Sequence, residues 1–266
     1  MTFLPKPLVI PVFLPNIGCP HQCLFCNQKV VTGASPNMPT AAEIRSTVHH
    51  YHRYKNPNHS RVELSFYGGN FLGLSEKQVP RLLDAAAPFV SGNVINGIRF
   101  STRPDTIDEA RLQWIRDYPV TTVELGVQSM DDQVLAASGR GHTAQATRNA
   151  SSLLQKSGYR VGLQMMIGLP GDTPERASAT AAAMIDLNPD FVRIYPTLVL
   201  AGSPLADRYA QGRYVPLSLE ACVLQLKTLY RRFSAHGIPV IRMGLQASAE
   251  LNDPSVVLAG PYHPAL

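Results

Sequence analysis

Three cysteines fall within eight residues, Cys19-Pro-His-Gln-Cys23-Leu-Phe-Cys26, in a C-x3-C-x2-C spacing. Thiolates are soft ligands, and three on one short loop can converge on a single face and hold three irons of a 4Fe–4S cube. The fourth iron then lacks a protein ligand, which leaves an open position for substrate or cofactor chemistry. Two other readings use the same residues. A structural zinc site usually pairs two C-x2-C knuckles; the second is missing here, and only Cys222 or His21 could complete a set of four. A simple electron-transfer ferredoxin would need a fourth clustered cysteine and far fewer residues. Cys222 sits inside an apolar helical stretch, 219–229, and reads as a small core hydrophobe.

The elements that must position this loop are legible as alternation. Short β-branched or apolar runs (8–14, 62–67, 94–101, 121–127, 161–167 and 191–200) are separated by helical patterns at 40–54, 76–90, 107–117, 143–156, 174–187 and 217–235. Thr40-Ala-Ala-Glu43 has the form of a capping box, and Pro174 follows a capping Thr173. Several runs look apolar on both alternating faces, as strands between a core and a helical layer would be. Six such βα units in about 230 residues match the rate of a (β/α) barrel. The expectation is an α/β protein, a partial (β/α)6 TIM-like barrel open on one side; a doubly wound sheet is the alternative. Either architecture collects chemistry at the strand C-termini. Gly68-Gly69-Asn70, Ser101 to Asp105, Gln128-Ser129 and Gly168 to Asp172 all fall there. Residues 1–238 read as the core domain and 239–266 as a C-terminal extension in shortened form, carrying one added strand at 240–243.

Composition narrows the class. A 266-residue chain with 45% hydrophobic and 16% charged residues is globular, and it can bury enough surface to need no disulfide scaffold. No run approaches the ~18 apolar residues of a membrane span. Prolines 5, 7, 11 and 15 interrupt the apolar N-terminal run, so a cytoplasmic protein is expected rather than an exported one. The net charge is +5, and 18 of the 24 basic residues are arginine. That permits a phosphate or nucleic-acid partner without requiring one. Glu124 and Arg193 stand out as charges within apolar runs, suited to an ion pair or to a site role.

The cysteine loop after a first strand, with Phe25 before the last cysteine, resembles the radical S-adenosylmethionine (radical SAM) superfamily, and within it the Elongator catalytic-subunit branch with its short bacterial relatives. The resemblance is carried in order by residues 10–28, Phe66 to Leu74, Ser101-Thr-Arg-Pro-Asp105, Val123 to Ser129, Gly139-Arg-Gly-His142, Gln164 to Gly171, Arg193 to Thr197 and Arg242 to Leu245. It covers nearly the whole chain, from residue 10 to about 263. It implies a 4Fe–4S cluster on Cys19, Cys23 and Cys26, with S-adenosylmethionine chelated at the open iron. Reductive cleavage to a 5′-deoxyadenosyl radical would then follow, with hydrogen abstraction from a substrate and a low-potential ferredoxin- or flavodoxin-type electron donor as partner.

The resemblance also assigns cofactor contacts. Gly68 and Gly69 match the backbone element that holds the cofactor's amino group, although Asn70 departs from the acidic, Thr or Ser residue expected beside it. Related oxygen-independent coproporphyrinogen oxidases imply that Gln128 and Arg140 meet the cofactor carboxylate. Ser101 and Gln164 fall where those relatives carry acidic residues. Phe25 and Arg193 complete the cofactor-binding set. His21 and Gln28 flank the cluster loop, and His142 lies beside Arg140. The Elongator branch implies transfer RNA as a substrate; a small-molecule or porphyrin-like acid, or a non-catalytic Fe–S or zinc module, are the alternatives. There is no room here for an acetyltransferase domain, so the acetyl-CoA-dependent reaction is not implied.

Overall fold

A computed structural model of the chain describes residues 6–245 and 250–264. The extension's residues 246–249 and 265–266 lie outside the described part. Seven strands form one parallel sheet: β1 (Lys6–Phe13), β2 (His59–Tyr67), β3 (Gly97–Thr102), β4 (Val120–Gln128), β5 (Arg160–Ile167), β6 (Phe191–Pro196) and β8 (Val240–Met243), while β7 (Val199–Leu200) and β9 (Val257–Ala259) form a separate two-stranded pair. Their order in space is β1-β2-β3-β4-β5-β6-β8, and every neighbouring pair is parallel. A doubly wound sheet reverses its order at a switch point, and this one never does. The sheet curls into a half-barrel with β1 and β8 at its free edges.

Helices cover one side of the sheet. These are α2 (Ala41–His52), α3 (Gln78–Ser91), α6 (Ala144–Lys156), α7 (Pro174–Ile185) and α9 (Leu219–Ala235), while the shorter α1 (Gln28–Thr32), α4 (Glu109–Gln113), α5 (Asp132–Ala137) and α8 (Pro204–Ala210) punctuate the connecting segments. The capping box is present: Glu43 N donates to Thr40 Oγ1 at 3.2 Å, and Thr40 N to Glu43 Oε2 at 2.7 Å. The expected strand 191–200 is broken. Thr197 turns back, its N and Oγ1 both donating to Ile167 O at 2.9 Å, and Val199–Leu200 leaves the main sheet to pair antiparallel with β9. The expected helix 107–117 holds for only five residues before irregular turns lead to Pro119.

The two faces of the sheet differ in chemistry. Val62, Leu64 and Phe66, Ile98 and Phe100, Val123, Leu125 and Val127, Val161, Leu163 and Met165, and Val192 and Ile194 pack outward against Ile44, Val48, Leu82, Leu83, Leu154, Ala181 and Leu226 of the helices. Fully burying a side chain of this size contributes roughly 1.5–3 kcal/mol, so this side holds the fold. Cys222 is buried in the same core. The alternate residues line the inside of the curl, and they are not the expected apolar set: Glu63, Ser65, Tyr67, Arg99, Ser101, Thr122, Glu124, Gln164 and Arg193. A closed barrel fills its interior with bulky branched residues. An open one lined this way is a polar trough.

Candidate cluster and cofactor site

The cysteine loop leaves β1 and is fastened on three sides. Leu14 N donates to Tyr67 O at 2.7 Å, Asn16 N to Gly68 O at 2.8 Å, and Asn70 N returns to Ile17 O at 2.9 Å. Leu24 N donates to Ser138 O at 3.0 Å, while Leu205 N donates to Leu24 O at 2.8 Å. Asn27 caps α1 through Oδ1 and donates Nδ2 to Ala201 O at 2.7 Å. Phe25 packs against the small cluster of Val199, Leu205 and Tyr214. The loop is therefore a shaped element rather than a free connection.

Cys23 is buried, and Cys19 and Cys26 are half-buried. Burial, and then the Cys26 and Cys23 thiols, push Cys19 up to about 11 despite the opposing pull of Arg140 and Arg103. Burial and Cys23 likewise raise Cys26, against the hydrogen bonds of Asn16 and Gln28. Cys19 and Cys26 therefore both feel neighbouring thiols, and a strong positive charge such as a metal would draw off the protons that burial holds on these two. Arg140 already supplies part of that charge, with Nη1 3.4 Å from Cys23 Sγ. Among the described residues no three Cys, His, Asp or Glu side chains are gathered onto one metal-ion position. The donor set, three soft thiols on a single anchored loop, fits three corners of an iron–sulfur cube.

Strand ends β2, β3 and β4 close around this loop. A Cβ on Gly69 would strike Leu14 O, and would lie 2.5 Å from Ile17 O, so only glycine lets the β2 turn lie flat on the cysteine loop. Phe71 pins that turn by stacking between Phe66 and Phe100, with ring centroids 5.0 and 4.3 Å away. Asn70 is fully buried, and its side chain is occupied by protein. Oδ1 accepts from Thr102 Oγ1, Arg103 N and Thr106 Oγ1 at 2.7–3.0 Å, and Nδ2 donates to Gly18 O at 2.9 Å. At the end of β4, Arg140 Nη2 donates to Gly126 O at 2.5 Å and Nε to His142 Nε2 at 3.1 Å. A Cβ on Gly126 would sit 2.8 Å from Arg140 Nη2 and 3.1 Å from Gln128 Nε2. Gln128 takes a positive φ of 66°, and its Oε1 is buried without a partner. With three of its five N–H groups used, the Arg140 fork can still donate to an anion.

Deeper in the trough, Glu124 collects a second constellation. Its Oε1 accepts from Tyr67 Oη at 2.8 Å, Arg99 Nη2 at 2.5 Å and Arg193 Nη2 at 3.2 Å. Its Oε2 accepts from Gln164 Nε2 at 2.8 Å and lies 2.7 Å from Arg193 Nε. Arg99 Nη1 bridges onward to Glu63 Oε2 at 2.8 Å. Burial alone would raise Glu124, but Arg193 and Arg99 overcome it and hold the carboxyl down to about 2. Burial and the Glu124 charge push the Tyr67 phenol up, so it remains a hydrogen-bond donor. Ser101 stands apart from this network, its Oγ 3.5 Å from Phe66 O.

Comparison with known proteins decides the family. The Radical SAM superfamily profile matches residues 14–184, and that of the Radical_SAM C-terminal domain matches 189–266. The chain belongs to the radical SAM superfamily. It is similar to the tRNA uridine(34) acetyltransferase of Dehalococcoides mccartyi, with 30% identity over 240 residues, covering 78% of this chain and 52% of that protein. It is also similar to human Elongator complex protein 3, with 28% identity over 249 residues, covering 77% and 46%. The chain thus spans about half the length of the curated relatives it matches. Among solved structures, the archaeal Elp3 of Methanocaldococcus infernus aligns with a TM-score of 0.68 at 22% identity, covering 96% of this chain and 60% of that one. Coproporphyrinogen III oxidase of Escherichia coli aligns at 0.59 and 18%, covering 88% and 54%. The half-barrel is the radical SAM fold, and the resemblance to the Elongator branch holds. No helix among the described residues is long and apolar enough to cross a membrane.

Within this radical SAM chain the sequence-derived residues fall into groups. Cys23, Arg140 and Gln128 meet beside the cysteine loop, with Gly69 and Asn70 forming its floor; Gln164 and Arg193 belong to the Glu124 network. Phe25 faces the satellite cluster of β7 and α8. Two residues escaped the sequence reading. Glu63 and Arg99 are buried charges like Glu124 and Arg193, and each sits at an alternate position in an apolar run, which was the available signal. Arg103 and His21 form a knot in which Arg103 Nη2 reaches Asp105 Oδ2 at 2.8 Å, Arg140 O at 2.7 Å and His21 Nε2 at 3.0 Å. Apart from the local Arg103–Asp105 pair, these contacts join residues 37 to 119 positions apart, which no local pattern encodes.

Proposed function

We propose that the chain is a radical SAM enzyme acting on RNA, with transfer RNA the substrate class that its relatives' names support. The observation that carries the catalytic part is the Arg140 guanidinium, held between the Cys23 thiol and the Gly126–Gln128 strand end. In this reading Cys19, Cys23 and Cys26 hold a 4Fe–4S cluster, and Gln128 and Arg140 take the carboxylate of S-adenosylmethionine, which a guanidinium fork suits. Gly68 and Gly69 offer backbone, and Ser101, Gln164 and Arg193 face the rest of the cofactor from the trough. When bound, cluster and cofactor supply reductive sulfonium cleavage and a 5′-deoxyadenosyl radical for hydrogen abstraction. The chain's own residues do the rest. Arg140 offsets negative charge at the thiolates, Phe71 and Asn70 fix the turn that carries the glycines, and the outer apolar layer excludes water from behind the strands. A low-potential ferredoxin- or flavodoxin-type protein is the electron donor.

Anaerobic reconstitution with iron and sulfide, reduction, and assay for 5′-deoxyadenosine test this reading. Product formation that disappears in Cys23→Ala supports it. A reconstituted protein with full iron content and no product would refute the catalytic reading and leave a non-catalytic Fe–S module.

A further inference from the structure

Helix α2 buries Ile44 and Val48 in the core, packs Tyr51 against it, and turns Ala42, Arg45, Ser46, His49 and His50 to solvent. Ala42, Arg45, Ser46, His49, His50 and Arg53 line a shallow surface groove of about 800 Å³ there. Residues 42–61 contain Arg45, Arg53, Lys55 and Arg61 and half of the chain's eight histidines, against Glu43 as their acid. Glu43 is already occupied, its Oε2 accepting from Thr40 N and Thr40 Oγ1 at 2.7 and 2.8 Å.

The cations on this face differ in kind from those of the trough. Arg99, Arg103 and Arg193 are paired with Glu63, Glu124 or Asp105, and Arg61 with Glu63 at 3.4 Å. Among the described residues neither Arg45 nor Arg53 has an acidic partner, so their charge is available to an outside anion. Arg53 Nη2 lies 3.0 Å from His50 Nδ1. The His50 ring lies edge-on to Tyr54 at 5.7 Å, and Tyr54 is 59% exposed. At 1.5 Å rise per residue, Arg45, His49 and Arg53 repeat about every 6 Å along one line of the helix. Two arginines with an imidazole between them, beside an exposed tyrosine, are the chemistry that binds a sugar-phosphate backbone and stacks unpaired bases.

We infer that this face of α2 is a docking strip for RNA, on the outside of the half-barrel beside its β1 edge. The inference rests on the RNA reading above and adds to it a surface away from the cofactor site. Arg45 and Arg53 bind phosphates, while His49, His50 and Tyr54 supply hydrogen bonds and stacking.

The test is binding of unfractionated transfer RNA to the full chain between 50 and 200 mM salt. Arg45→Glu/Arg53→Glu is compared with Arg148→Glu/Lys156→Glu, which makes the same charge change on α6. The α2 pair should weaken binding roughly tenfold or more, and Arg45→Gln/Arg53→Gln should reduce the salt slope by about 2. The α6 pair should stay within about twofold. All three variants should retain the 5′-deoxyadenosine yield of the native chain, which shows that they are folded. If the α2 and α6 pairs weaken binding equally, net charge explains the binding and the strip is refuted, while the RNA reading stands. If the native chain binds no RNA, the substrate reading itself falls and the strip with it.

Discussion

Removing the Glu124 carboxylate should cost the apoprotein about 3 kcal/mol, and the structure gives that figure by two routes. A carboxyl that titrates at about 2 rather than its ordinary 4.5 carries about 3 kcal/mol of stability at neutral pH. Independently, breaking a buried ion pair by removing one partner costs roughly 3–5 kcal/mol, because the other charge stays buried. Arg99 keeps Glu63 as a partner, but Arg193 is only 12% exposed and keeps no acid, which places the loss at Arg193. Glu124→Gln preserves shape and removes charge. In urea, with a slope of about 3 kcal/mol per molar, the midpoint should fall by about 1 M. The sign with pH is fixed as well. A depressed folded pKa gives stability that is complete above 4.5 and lost as pH falls through 2. The gap between native and Glu124→Gln proteins should therefore shrink to less than half its neutral value by about pH 3. Urea titrations followed by far-UV circular dichroism at pH 6 and pH 3 measure both gaps. A midpoint change under about 0.3 M at pH 6, or equal gaps at the two pH values, would show that the carboxylate does not hold the trough together.

Two further outcomes concern the site. Cys19→Ala, Cys23→Ala and Cys26→Ala should each abolish bound iron and visible absorbance after anaerobic reconstitution. Cys222→Ala should keep both and cost the apoprotein about 1 kcal/mol through its lost core contacts; loss of iron in that variant would indicate a four-thiolate site instead. Gly126→Ala should weaken S-adenosylmethionine binding by roughly tenfold, since the new methyl meets Arg140 Nη2 at 2.8 Å and must displace the fork or Gln128. Unchanged cofactor affinity in equilibrium binding would remove Arg140 and Gln128 from the cofactor site.

Much of this arrangement is legible in the sequence, for identifiable reasons. Parallel strands read as short apolar runs, and strands 62–67, 121–127 and 161–167 fall inside β2, β4 and β5. The cysteine loop was legible because thiol spacing encodes ligand geometry directly. Helices α1, α5 and α8 were not, because five to seven residues are too few to establish a 3.6-residue period. The break after Pro196 depends on a bond from Thr197 to Ile167, thirty residues back, and on a partner strand at Val257–Ala259. The polar lining of the trough was hidden by short runs in which one charge among β-branched neighbours looks like an exception. Only the register, which sets Arg99 one strand from Glu63 and Glu124 alike, shows the exceptions to be a network.

The fastening of the cysteine loop also sets an order of events during synthesis. Leu24 is held by Ser138 on one side and Leu205 on the other, so the loop's final shape needs partners more than a hundred residues downstream. At about 5–20 residues per second, an emerging chain carries three reducible, oxidisable thiols for roughly ten seconds or longer before α8 leaves the ribosome. Metal delivered in that interval meets an unanchored peptide. If the loop holds a cluster as proposed, its ligand geometry exists only once the second half of the chain has folded, which places loading after translation.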